Sequence, residues 1–158
     1  MTRLSIELVP KSAHFQNARG VLTRTQWDRV KLLTCNAAAG ACQICYARGD
    51  LESHEVWEWR EESAIHGVQR LVRTIALCSW CHRAKHWGHT EGMGYLPQAR
   101  RHILKVNGWS EAELEDHIRR SWREWSRLSK VEWTLDISML EPMIAGVRTR
   151  RRPAQLVS

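Results

Sequence analysis

The sequence predicts an α+β chain: a ββα unit with a four-cysteine zinc knuckle pair, flanked by N-terminal and C-terminal helices. Three observations carry this. Two Cys-x-x-Cys pairs, Cys42/Cys45 and Cys78/Cys81, bracket two β-prone runs. A two-residue spacer lets both sulfurs of a pair reach one tetrahedral ion at about 2.3 Å. His82 and His86 follow the second pair, while a His54-Glu55 dyad lies between the pairs. These are more metal-capable groups than one structural zinc needs, so two sites are expected.

In chain order, Leu4–Val9 alternates enough for a short strand, and Pro10 stops it. Residues 11–24 read as a basic connecting arm. A helix is predicted from Thr25, with Asp28 near its positive end and Trp27, Val30, Leu33 and Thr34 on one face, ending at Gly40. Residues 1–40 thus form an N-terminal strand, arm and helix, and 41–90 the zinc module. Within it, Leu51–Trp59 and Val68–Val72 are the strands, joined by a turn at Glu61-Glu62-Ser63 with Gly67. Cys78 to Trp87 is a short helix.

Gly88, Gly92 and Gly94 mark a flexible stretch. Residues 91–147 are a helical extension with a terminal strand. Pro97 opens one helix that ends at Asn107-Gly108. Ser110 and Glu113 form a capping box for a longer one, with Leu114, Ile118, Trp122 and Trp125 spaced by three and four. Val131–Leu135 is the last strand, and 148–158 a basic tail.

At 158 residues there is room for one ordinary domain plus an arm or tail. The zinc module alone is too small for a self-sufficient core, which metal binding would replace. Of nine tryptophans, Trp57, Trp59, Trp122, Trp125 and Trp133 are expected to enlarge the core. Four of five cysteines sit at metal spacing, which argues against a disulfide framework; Cys35 is left as a buried helix residue. No apolar run reaches the ~18–20 residues of a membrane span and no signal segment follows Met1, so a soluble, intracellular, cytoplasmic protein is expected.

The formal charge is +7, and Arg148, Arg150, Arg151 and Arg152 fall in one stretch. Alone, such a tail is either a solvated end or a polyanion contact. Beside a zinc-and-histidine core it points to nucleic acid, chiefly DNA.

On a helix His82 and His86 leave the same face and can share an ion, with His54 on the strand opposite. Singly, His82 reads equally as a metal ligand or a phosphate contact, and His86 equally as a ligand or a surface residue. Together, three imidazoles on one ion leave coordination positions open for chemistry.

These residues resemble the HNH endonuclease family in its zinc-stapled form. The resemblance rests on Cys42-x-x-Cys45, Leu51-Glu52-Ser53-His54-Glu55-Val56 and Leu77-Cys78-x-x-Cys81-His82-x-x-x-His86, within about residues 30–90. It implies a phosphodiester hydrolase whose ββα unit grips a second divalent ion, Mg²⁺, Mn²⁺, Ni²⁺ or Zn²⁺. His82 and His86 would complete that site, with Arg83 and Lys85 on the phosphate backbone. Aligned one way, His54 is a metal ligand and Glu55 the base; shifted by one, Ser53 is the ligand and His54 the base. The family's middle asparagine has no counterpart in residues 55–77, where Gln69 offers an amide. A zinc-stapled module that binds nucleic acid or a protein without turnover is the rival expectation.

Overall fold

The computed structural model describes residues 4–147. Helix α1 (Ala18–Val21) is capped by Asn17, whose side chain accepts from the Gly20 N–H. Helix α2 (Arg24–Ala37) starts one residue before the predicted Thr25, because the cap is Thr23, in a reciprocal capping box with Gln26. It buries Trp27, Val30 and Thr34. Strands β1 (Glu52–Glu61) and β2 (His66–Leu77) form an antiparallel hairpin, longer than the expected runs, and α3 (Ser79–Lys85) follows directly.

The glycine stretch after α3 is helical: α4 spans Trp87–Gly92, with Trp87 and Thr90 buried. Thr90 Oγ1 donates to the Arg83 carbonyl at 2.8 Å, which holds this helix to the previous one. Helix α5 (Leu96–Asn107) opens with Pro97 and ends at Gly108, in the left-handed region at φ 65° that glycine favours. Helix α6 (Glu111–Leu128) begins at the predicted Ser110/Glu113 box. Strand β3 (Glu132–Asp136) and helix α7 (Glu141–Ile144) close the described chain.

The sheet order is β1-β2-β3, with β3 parallel to β2. A bulge between Val56 and Trp57 leaves Val72 without a partner across the hairpin. It shifts the alternation of β2 by one residue, so Ile75 and Leu71, four apart, feed different cores. One face packs Ile75 and Leu77 with Cys42, Cys81, Ile103 and Leu114. The other packs Leu71 with Trp27, Val30 and Leu140. Opposite Trp133 of β3 stands Gly67, where a Cβ would lie 2.4 Å from the indole and 2.7 Å from the Arg60 carbonyl.

The predicted strand at Leu4–Val9 is not one. It is an extended strap whose backbone groups bond to helices instead of a neighbouring strand. Leu4 N and O bond the Asn107 side chain, each at 2.8 Å, and Ile6 N donates to His117 Nε2 at 2.9 Å. Glu7 N donates to the Lys85 carbonyl at 2.9 Å, and Val9 O accepts from Trp125 Nε1 at 2.9 Å. Leu4 and Ile6 thereby join the same core as the knuckle cysteines, which is larger than the zinc module alone supplies. Of the predicted packing tryptophans, Trp133 is buried, while Trp122 stays on the surface of α6. No helix among the described residues is long and apolar enough to cross a membrane.

Candidate metal centres

Cys42 and Cys45 lie in the turn after α2, tied by the Cys42 N–H to the Ala47 carbonyl at 2.9 Å. Gln43 clamps this turn to the end of β2: its N–H donates to the Ala76 carbonyl, and its Oε1 accepts from the Ala76 N–H at 2.7 Å. Cys78 caps α3 and Cys81 sits in its first turn, so the hairpin carries the second pair back onto the first. The four sulfurs lie within 4.8 Å of one another, with Cys45 and Cys78 at 3.6 Å. Four thiolates on a tetrahedral ion at about 2.3 Å would stand about 3.8 Å apart, whereas a disulfide needs about 2.05 Å. The group therefore fits a metal such as zinc. Burial and the charge of the neighbouring sulfurs push the Cys81 thiol far up, a cost that a cation among the sulfurs would offset, while hydrogen bonds hold Cys42 down at about 7 despite its burial. Cys35 is half-buried and outside the group, its thiol donating to the Leu51 carbonyl at 3.6 Å.

His54, His82 and His86 make the second cluster, each offering a ring nitrogen within 4.8 Å of the others. Strand alternation puts His54 on the face that carries α3, and His86 ends that helix with a non-helical ψ of 51°. The Nε2 atoms of His82 and His86 are 3.1 Å apart. Two nitrogens bound to one ion at about 2.05 Å would stand about 2.9–3.4 Å apart, so this spacing fits a shared ion.

Each outward nitrogen that meets a carboxylate has one that can only accept. His82 Nδ1 donates to Glu52, and His54 Nε2 donates to Glu7 at 2.6 Å. His54 Nδ1 is buried with no hydrogen-bond partner, an orphan that a metal would satisfy. Burial, reinforced by the two other imidazoles, holds His86 down at about 3. Burial also lowers His82, against the pull of Glu52. Both rings are neutral at pH 7 and keep a lone pair for a ligand.

Of the other expected site residues, Glu55 stays outside the histidine cluster. Its carboxylate accepts from the Ala18 N–H at 2.7 Å, on the α1 side of the sheet, and burial raises its pKa despite that bond. It nonetheless lines a cavity of about 440 Å³ shared with His54, His86, Trp57, His117 and Trp125. Ser53 is also outside the cluster, so it is His54 that meets His82 and His86. Gln69 is fully buried, its amide donating to the Gln16 carbonyl at 2.8 Å, and it supplies nothing to the histidines.

Lys85 requires a correction. It is 4% exposed, and its ammonium is spent on Glu7 and Ser5, which leaves none for a phosphate backbone. Arg83 is half-buried, its guanidinium 5.0 Å from the Trp80 ring and 4.9 Å from Tyr95. Arg148, Arg150, Arg151 and Arg152 lie outside the described residues.

Several participants escaped sequence reasoning. Glu52 had a signal, since residues two apart on a strand share a face with His54. Glu7 and His102 had none. His102 Nε2 lies 3.2 Å from Cys81 Sγ, placing an imidazole behind the cysteine group. A groove of about 800 Å³ runs from His82, Glu52 and Ser53 past Arg19, Arg24 and Lys31 of α1 and α2, with Asp28 among them, paired with Lys31 at 2.9 Å and Arg24 at 3.9 Å. No family model matches the chain, and no curated protein or solved structure matches it either.

Proposed function

We propose that this chain is a small metal-dependent endonuclease with an HNH-like centre, hydrolysing phosphodiester bonds in DNA. The observation that carries the reading is the convergence of His54, His82 and His86 on one point at the end of a strand–strand–helix unit. Beside it, Cys42, Cys45, Cys78 and Cys81 hold a structural zinc that fixes how α3 meets β1. A divalent ion (Mg²⁺, Mn²⁺, Ni²⁺ or Zn²⁺) on the three imidazoles supplies a Lewis acid for a phosphate oxygen and the leaving oxygen.

The protein's own groups do the rest. His54 is a ligand in this reading, and Glu55 is the proton acceptor, its raised pKa making it a better base than an ordinary carboxylate. Arg24 and Lys31 border the groove that reaches His82 and hold the phosphate backbone without reading sequence. Supercoiled-plasmid nicking across the four metals tests this, with His82→Ala as the control. Cleavage by wild type and none by the variant is expected.

A second reading has its own support. Gln69 is committed to Gln16, so it does not stand in for the family's asparagine at the histidines. A nucleic-acid or protein-binding module without turnover would follow, and it predicts DNA binding with no cleavage under any of the metals.

A further inference from the structure

Glu7 reaches the histidine cluster from the strap, 47 residues before His54 in sequence. Its Oε2 accepts from His54 Nε2 at 2.6 Å, while Oε1 accepts from the buried Lys85 ammonium. The strap cannot drift, because Leu4, Ile6 and Glu7 are each bonded through the backbone to α5, α6 or α3. Glu7 is not one of the atoms that converge on the cluster; it stands behind His54.

The chemistry of the ring follows. A neutral imidazole has one N–H, and a carboxylate can only accept, so the proton sits on Nε2. The lone pair is then on Nδ1, which is the buried atom without a partner. Metal-bound histidines commonly give their other N–H to a carboxylate in this way, which fixes the ring and raises its basicity.

We propose that Glu7 is the positioning carboxylate of the three-histidine centre, holding His54 in the tautomer that turns Nδ1 toward the ion. The N-terminal strap is thereby a working part of the centre and not merely packing. This rests on the reading of His54, His82 and His86 as ligands. The competing role for Glu7 is purely structural, as the partner that neutralises Lys85.

The experiment uses the full chain with zinc in the cysteine site, and Co²⁺ as the probe for the second site. Wild type, Glu7→Ala and Lys85→Met are compared by Co²⁺ titration. Long-range proton–nitrogen NMR of His54, before Co²⁺ is added, reads the tautomer. Wild type should bind one Co²⁺ and show the Nε2–H form. Glu7→Ala should bind it roughly 10–100-fold more weakly and shift His54 toward the Nδ1–H form. Lys85→Met should keep both the affinity and the tautomer, since it leaves the Glu7–His54 bond in place. Should Glu7→Ala fail to fold, Glu7→Leu combined with Lys85→Met removes both charges and the acceptor for Nε2, and should show the same weakening. Wild-type affinity in Glu7→Ala or in Glu7→Leu with Lys85→Met, or an Nδ1–H tautomer in wild type, overturns the proposal while leaving the histidine centre standing. A wild-type chain that takes up no Co²⁺ beyond the cysteine site overturns both together.

Discussion

Glu55 and Ala18 are joined by a 2.7 Å hydrogen bond in which the backbone N–H at the start of α1 donates to the carboxylate. The bond gives Glu55 an architectural task beside any chemical one, and a single substitution separates them. Glu55→Gln keeps an acceptor oxygen for Ala18 but cannot take a proton from water. Metal binding, DNA binding and melting temperature should persist while single-turnover cleavage falls by roughly 10²–10⁴-fold. Cleavage at the wild-type rate would assign Glu55 to architecture alone.

Cys78→Ser should cost the fold. It removes one of four sulfurs and weakens an ion whose binding supplies folding free energy, about 10–16 kcal/mol for a comparable structural zinc. Zinc content and circular dichroism read this directly. A Cys78→Ser chain that stays folded with its zinc would show that the four cysteines are not a metal site.

His82→Ala should spare the structural zinc and the fold but lose the second ion. His82 contributes one of the two nitrogens that stand 3.1 Å apart, and its side chain is partly exposed. Nicking activity should drop by orders of magnitude, and isothermal titration should show one site fewer.

His86 should offer no proton competition to second-site binding between about pH 6 and about pH 8. An ordinary histidine titrates near 6.5, so ordinary ligands would surrender protons to the metal across this window. Here His86 is held at about 3, so it carries no proton to displace across this window, and the lowered His82 carries less than an ordinary ring would. Competition at His86 should set in only as the pH falls toward about 3. A His86 ring whose NMR shifts titrate near 6.5 would show that it behaves as an exposed one does.

Gly67→Ala should destabilise the protein by roughly 1–3 kcal/mol, from overpacking alone. The added methyl would meet the Trp133 ring at 2.4 Å and the Arg60 carbonyl at 2.7 Å, inside the sheet and far from either metal cluster. Thermal denaturation measures it, and unchanged metal stoichiometry confirms that the loss is local.

What could be read from the sequence was what neighbours in sequence decide. The Ser110/Glu113 box, Pro97 at a helix start and the paired cysteines all act within one turn, and each marks its element in the structure. Thr23-x-x-Gln26 carried the same kind of signal, and Thr25 drew attention from it. The strap was misread because alternation predicts a strand only if a strand is there to pair with, and its partners are side chains more than a hundred residues away. The helical reading of Cys78–Trp87 set His82 and His86 together, but nothing local could show Glu7 behind His54 or Lys85 turned inward.

The strap also sets a timetable. Its residues leave the ribosome before the cysteine pairs, yet Leu4 docks on Asn107, Ile6 on His117 and Val9 on Trp125. During synthesis the cysteine pairs and the hairpin emerge tens of residues before Asn107, His117 and Trp125, whereas His54 and Lys85, the partners of Glu7, emerge with them. Glu7 can therefore find its partners early, while docking of Leu4, Ile6 and Val9 must wait for residues 107–125. Such long-range closure is slow compared with local turns. The strap is thereby closed in two stages, first at Glu7 against the hairpin and α3, and later at Leu4, Ile6 and Val9 against the helices that follow.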